Sequence, residues 1–383
     1  MAASDAPQAP RASQPALAPA ICGSATAAAL APATCGSAAA AAREQHITRR
    51  KFLALGVSTV AAAAAFGLAG CSASTTTSST STAPAQQTMT FFALDTLITI
   101  TAVAETSLLE AAQTEVARYE NLFSRTIEGT DVWNINHANG TPVEVHEDTA
   151  DLIRASLAIS EESGGLFDAS IGSVSTLWDF TAGVKPDDDQ IAQAVAHVDY
   201  RNIAVEGTTV TLADPEAQLD LGGIAKGYIG DALVRLLSEG GCTSACVDIG
   251  GNLCFVGGKP DGTPWNAGVV DPNDSDSSVV ATIACADGTL VTSGLYERSF
   301  VADGTLYYHI LDPRTGYPAQ TDLVAVSVRG ADSTTADAYA TLLFMLGRDG
   351  ALDFLAAHPD LSALLIDTAG GITCTPDSAF QLV

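Results

Sequence analysis

From Ala245 to Val328 the chain is a succession of short β-branched segments with almost no helical periodicity between them. Ala245–Ile249, Leu253–Val256, Trp265–Val270, Val279–Cys285, Thr289–Thr292, Arg298–Val301, Leu306–Ile310 and Leu323–Val328 all read as strands. Helical spacing is confined to isolated stretches: Glu105–Phe123, Asp148–Ser163 with Asp148 as a candidate cap, a short helix within Val184–His197, Gly223–Glu239, Thr334–Leu346 and Asp349–Ala357. Earlier strands are predicted at Thr90–Val103, Arg201–Glu206, Thr208–Ala213 and Ala217–Asp220. Strands in runs, separated by lone helices, indicate an α+β fold rather than alternating β/α units.

The first 70 residues are of a different kind. Residues 1–42 are mostly Ala, Pro and Ser without periodicity. Arg49-Arg50 then precedes an apolar run from Leu53 to Ala69, which ends at Leu68-Ala69-Gly70-Cys71. A twin arginine before a moderately apolar run resembles a Tat export signal, and Leu-Ala-Gly-Cys resembles a lipobox whose cysteine receives a lipid. An ordinary N-terminal anchor helix is the alternative, although the run is short for a membrane span. The expected organisation is a leader over 1–70, a flexible tether over 71–88 and a working domain over 89–383. That domain is expected outside the cytoplasmic membrane, lipid-anchored through Cys71.

Charge narrows the function. Beyond residue 70 the chain carries 12 Lys and Arg against 42 Asp and Glu. So acidic a body repels phosphate backbones, which excludes a nucleic-acid binder but not a small polyanion offset by a metal ion or local cations. Besides Cys71, five cysteines remain there (Cys242, Cys246, Cys254, Cys285 and Cys374), without the paired C-x₂-C spacing of a zinc site.

Four clusters carry candidate chemistry. In Asp220-Leu221-Gly222-Gly223-Ile224-Ala225-Lys226-Gly227-Tyr228, a carboxylate and two glycines precede a helix. Backbone N–H groups there, with Lys226 one turn in, suit a phosphate, and Gly223 exposes a carbonyl; a simple capped turn has the same pattern. Asp337 and Thr341 are four apart, so both oxygens project from one helix face and suit a hard cation such as Mg²⁺. His309 ends a strand beside the turn Asp312-Pro313-Arg314-Thr315-Gly316, while Leu295-Tyr296-Glu297-Arg298 forms another polar turn upstream. Gly164-Gly165-Leu166-Phe167-Asp168 breaks a helix and leads to Leu177-Trp178-Asp179-Phe180, whose aromatics suit either a core or a planar ligand.

The order of these blocks, together with Ile249-Gly250-Gly251-Asn252, Thr292-Ser293-Gly294 and Ala336-Asp337-Ala338-Tyr339-Ala340-Thr341, resembles the ApbE family of FAD:protein FMN transferases across nearly all of residues 90–383. The resemblance implies mixed or antiparallel sheets with flanking helices and an FAD cleft between two halves. It implies that FAD is cleaved at its pyrophosphate, FMN is joined to a Thr or Ser hydroxyl of a partner flavoprotein, and AMP is released. Carried over by motif, Gly223, Asp337 and Thr341 hold Mg²⁺. Leu166, Phe167, Asp168, Asp220, Lys226, His309 and Ile310 fall on FAD contacts, and His309 or Asp337 takes the acceptor proton. The partner implied is an exported flavoprotein with a Ser/Thr flavinylation motif, such as a subunit of a membrane redox pump or an FMN-binding reductase. Two positions depart from the family pattern: Leu94-Asp95-Thr96 stands in place of Met-Gly-Thr, and Thr126 stands where an aromatic ring is common. An FAD pyrophosphatase giving FMN and AMP, or a lipid-anchored carrier that leaves FAD intact, would use the same binding residues.

Overall fold

The structure, a computed structural model, describes residues 85–383 apart from 273–277, 296 and 377. The twin arginine, the apolar run, Cys71, most of the tether and Tyr296 lie outside the described residues. In chain order the elements are β1 (Gln86–Ala93), β2 (Thr96–Val103), α1 (Thr106–Phe123), α2 (Asp131–Asn136), β3 (Val143–Glu144) and α3 (Glu147–Glu162). Next come α4 (Gly172–Ser175), α5 (Asp188–Val195), β4 (Ile203–Glu206), β5 (Thr209–Leu212) and α6 (Ala225–Glu239). The strand-rich part holds β6 (Ala245–Ile249), β7 (Asn252–Val256), β8 (Trp265–Val270), β9 (Val279–Cys285), β10 (Gly288–Gly294), β11 (Ser299–Ala302), β12 (Thr305–Tyr308) and β13 (Leu323–Gly330). Helix α7 (Ser333–Ala356), β14 (Ser362–Asp367), β15 (Ile372–Cys374) and β16 (Gln381–Leu382) follow.

Eight strands form the main sheet in the order β1-β2-β6-β7-β10-β13-β14-β15. Every neighbouring pair in it is antiparallel, so the α+β reading holds. Period-two alternation assigns the two faces, as β14 illustrates. Ala363 and Leu365 enter the larger core under the helices, whereas Leu364 and Ile366 point into a second core beneath the small β16-β9-β8 sheet. Helices α6 and α7 pack on each other, and both rest on the main sheet. Burial of side chains such as Ile229 and Phe344 contributes roughly 1.5–3 kcal/mol each.

Three local expectations change. The strand predicted over Thr90–Val103 is a hairpin that begins earlier, because Leu94 and Asp95 both adopt positive φ, at 54° and 56°. Two-residue hairpin turns need that conformation, and here it occurs without the usual Asn-Gly signal. The Leu94 N–H donates to Glu120 Oε1 at 2.8 Å, tying the turn to α1. Asp148 does not cap α3; His146 does, accepting from the Asp148 N–H at 3.1 Å. Ala217–Asp220 forms only an isolated bridge, Gln218 with Ile171, where Gly172 lies close against the same backbone.

Candidate functional site

The site is built where the starts of α6 and α7 meet. Asp220 Oδ1 accepts from the Gly222 N–H at 2.9 Å and folds the turn before α6. The start of α7 is fixed twice. Asp332 caps it through the Thr335 N–H at 2.8 Å, and Asp231 of α6 accepts from the N–H groups of Ser333 at 2.7 Å and Thr334 at 2.8 Å. One turn earlier on α6, the Gly227 N–H donates to Asp337 Oδ2 at 2.8 Å. Only glycine allows this approach: a Cβ at 227 would lie 2.1 Å from the Ser333 carbonyl oxygen and 2.8 Å from Asp337 Cβ. The polypeptide therefore brings together the three positions expected to hold a metal. A Cβ at Gly223 would lie 3.8 Å from Thr341 Oγ1, and Asp337 sits one turn before Thr341 with only 2 % of its surface exposed.

These donors are a carbonyl, a carboxylate and a hydroxyl, the oxygen set a hard cation prefers. Among the described residues no three His, Cys, Asp or Glu side chains gather as metal ligands, so a thiolate or imidazole centre is not formed there. Within the described structure the Gly227 bond is the one hydrogen bond on the Asp337 carboxylate, which leaves Oδ1 available.

A second wall comes from the β11–β12 hairpin. Its base joins the His309 N–H to the Arg298 carbonyl at 3.1 Å, so Arg298 and His309 are held side by side. A cavity of about 390 Å³ opens here, lined by Asp95, Phe180, Thr181, Glu297, Arg298 and Ser299. His309 Nδ1 is buried without a partner, and Nε2 lies 3.9 Å from Glu297 Oε2. Burial, reinforced by Lys226 and Arg298, pushes the His309 pKa down to about 4, so the ring is neutral at pH 7. Burial also raises the Glu297 pKa, against the pull of Lys226 and Arg298. Lys226 Nζ lies 3.4 Å from Asn252 Oδ1, and Asn252 is fully buried with its Nδ2 unpartnered.

The expected FAD contacts divide into two groups. Phe167 borders the glycine turn, its Cε2 3.2 Å from a Cβ built at Gly223. Lys226 and His309 share the electrostatic environment just described. Asp220 is engaged by Ser175 Oγ at 2.6 Å and Arg125 Nε at 3.1 Å, which brace the turn. Asp168 faces inward, accepting from the Ser170 N–H and Oγ at 2.8 and 2.6 Å and from the Tyr200 N–H at 2.9 Å. Ile310 is a core residue, and Leu166 packs partly buried against the same core.

Sequence reasoning gave no role to Gly227, Asp231, Asn252 or Glu297. For the first two a signal existed: they are four apart on α6, and so face the same neighbour, the start of α7. Glu297 was visible only as part of a polar turn.

A family model described as the ApbE family matches residues 94–365. The FAD:protein FMN transferase of Treponema pallidum (strain Nichols) is 37% identical over 246 residues, covering 60% of this chain and 68% of that protein. That of Klebsiella pneumoniae (strain 342) is 34% identical over 256 residues, covering 66% and 79%. Among solved structures, the ApbE protein of Thermotoga maritima superposes with a TM-score of 0.70 at 32% identity, covering 76% of this chain and 97% of that one. The flavin transferase ApbE of Vibrio cholerae gives 0.69 at 25% identity, covering 77% and 98%. With the helix-start geometry, the antiparallel sheet and a family match over most of the described residues, this chain belongs to the ApbE family.

Proposed function

We propose that this protein is an FAD:protein FMN transferase that uses Mg²⁺, moves FMN from FAD to a Thr or Ser hydroxyl of a flavoprotein, and releases AMP. The observation that carries the reading is the meeting of Gly223, Asp337 and Thr341 at two locked helix starts. Gly223, Asp337 and Thr341 would hold the Mg²⁺, which when bound would supply positive charge to the diphosphate and polarise its phosphorus. The chain does the rest. The positive end of the α6 dipole and Lys226 add favourable charge at the glycine turn of a strongly acidic domain, and Phe167 packs beside that turn. The neutral His309 ring and the Arg298 backbone form the adjoining wall, from which a hydroxyl can approach.

The twin arginine and the Leu-Ala-Gly-Cys segment support export and lipid anchoring through Cys71, with an exported flavoprotein as acceptor. Among the described residues no helix is long and apolar enough to cross a membrane.

The test mixes the protein with FAD, Mg²⁺ and an acceptor bearing an Asp-x-x-Thr-Gly-Ala-Thr-like segment. AMP release matched by covalent flavin on the acceptor, both lost on chelation, is the expected result. Bound FAD with an unlabelled acceptor removes the transferase reading, and FMN plus AMP made without acceptor indicates hydrolysis instead.

A further inference from the structure

Around the site nearly every carboxylate has structural work to do. Asp168 accepts from Ser170 and Tyr200, Asp220 from Ser175 and Gly222, Asp231 from Ser333 and Thr334, and Asp248 from the Gly251 N–H. Asp337 is held by Gly227. Glu297 and Asp95 are the exceptions: within the described structure neither carboxylate accepts a hydrogen bond, and both line the 390 Å³ cavity beside Arg298. Of the two, Glu297 is the one beside the buried imidazole, its Oε2 3.9 Å from His309 Nε2. Its side chain keeps 26% of its surface exposed, so the oxygens open to the cavity with no protein group on their lone pairs and are free to take a substrate proton.

We propose that Glu297 is a catalytic residue, the carboxylate that takes the proton from the acceptor hydroxyl. This rests on the transferase reading above. In the step, the acceptor O–H bond breaks and its proton goes to a Glu297 oxygen. The hydroxyl oxygen forms a new bond to the FMN phosphorus. The bond from that phosphorus to the bridging oxygen breaks, and its electron pair leaves with AMP. The charged and titratable groups around Glu297 are Lys226, Arg298, Asp337 and His309, with Asp95 in the same cavity wall. His309, the nearer alternative, is made a weaker base by its surroundings, whereas the same burial makes Glu297 a stronger one.

The experiment compares wild type, Glu297→Gln and Glu297→Asp with FAD, Mg²⁺ and the acceptor described above, and measures FAD affinity separately by flavin fluorescence. Glutamine keeps the shape and removes the basicity, so kcat is expected to fall about 100-fold or more while FAD affinity stays within about threefold. Wild-type kcat is expected to fall at acidic pH as Glu297 protonates. That limb persists at reduced rate in Glu297→Asp and disappears in Glu297→Gln. A Glu297→Gln rate within about threefold of wild type, or a loss that tracks weakened FAD binding, overturns the assignment. If Glu297→Gln does not fold, Glu297→Asp decides: wild-type kcat with an unmoved acid limb overturns it. An acceptor left unlabelled by the wild type brings down the parent reading, whereas a labelled acceptor with a fully active Glu297→Gln brings down this assignment alone.

Discussion

The Gly227 N–H donates to Asp337 Oδ2 across 110 residues of chain, and the 2.8 Å bond sets how far the α6 turn stands from the α7 carboxylate. The bond uses one carboxylate oxygen and leaves the other without a hydrogen-bond partner within the described structure.

Asp337→Asn preserves an oxygen for Gly227 while removing the charge. Turnover is expected to fall about 100-fold with FAD affinity nearly unchanged, as for loss of one electrostatic contact to the reacting centre. Thr341→Val should raise the Mg²⁺ concentration needed for half-maximal rate. Metal titration of AMP release measures both, and unchanged rates in the two variants would remove the metal assignment.

Gly227→Ala tests the packing beneath the site. The added methyl meets the Ser333 carbonyl and Asp337 Cβ, and backbone must move to admit it. The expected cost is about 1–3 kcal/mol of stability, seen as a lower Tm, with turnover falling further as Asp337 is displaced. Wild-type Tm and rate together would show that α6 and α7 are less tightly coupled than the structure has them.

His309 gives a pH signature. Its pKa is about 4 in the folded protein, below the ordinary histidine value of about 6.5, so the unfolded chain binds more protons between those values. Stability from this residue is present above about 6.5 and is lost as pH falls towards 4. Chemical denaturation across that window should show the decline in wild type and a shallower one in His309→Gln. NMR titration of the ring should give the low midpoint directly.

Much of the fold was legible because period-two and helical patterns are local. Trp265–Val270 and Val279–Cys285 coincide with β8 and β9, and the helix expected to stop at Gly347 does bend there, at φ 71° and ψ 175°. The hairpin at Leu94-Asp95 was hidden because a leucine in the left-handed region carries no composition signal; its hold comes from Glu120, far along the chain. Asp337 with Thr341 was readable as a helix face. Glu297 was not, because its meaning depends on which partners it lacks. The inward bonding of Asp168 was hidden for the opposite reason: nothing local reveals that Tyr200 occupies one of its oxygens.

The Asp231 clamp has a bearing on durability. Because that side chain fastens one helix directly to the first N–H groups of the next, the spacing of the oxygens proposed to hold a cation is set by a short local brace as well as by the sheet behind it. A change at position 231 would therefore act on the proposed site through the junction of the two helix starts.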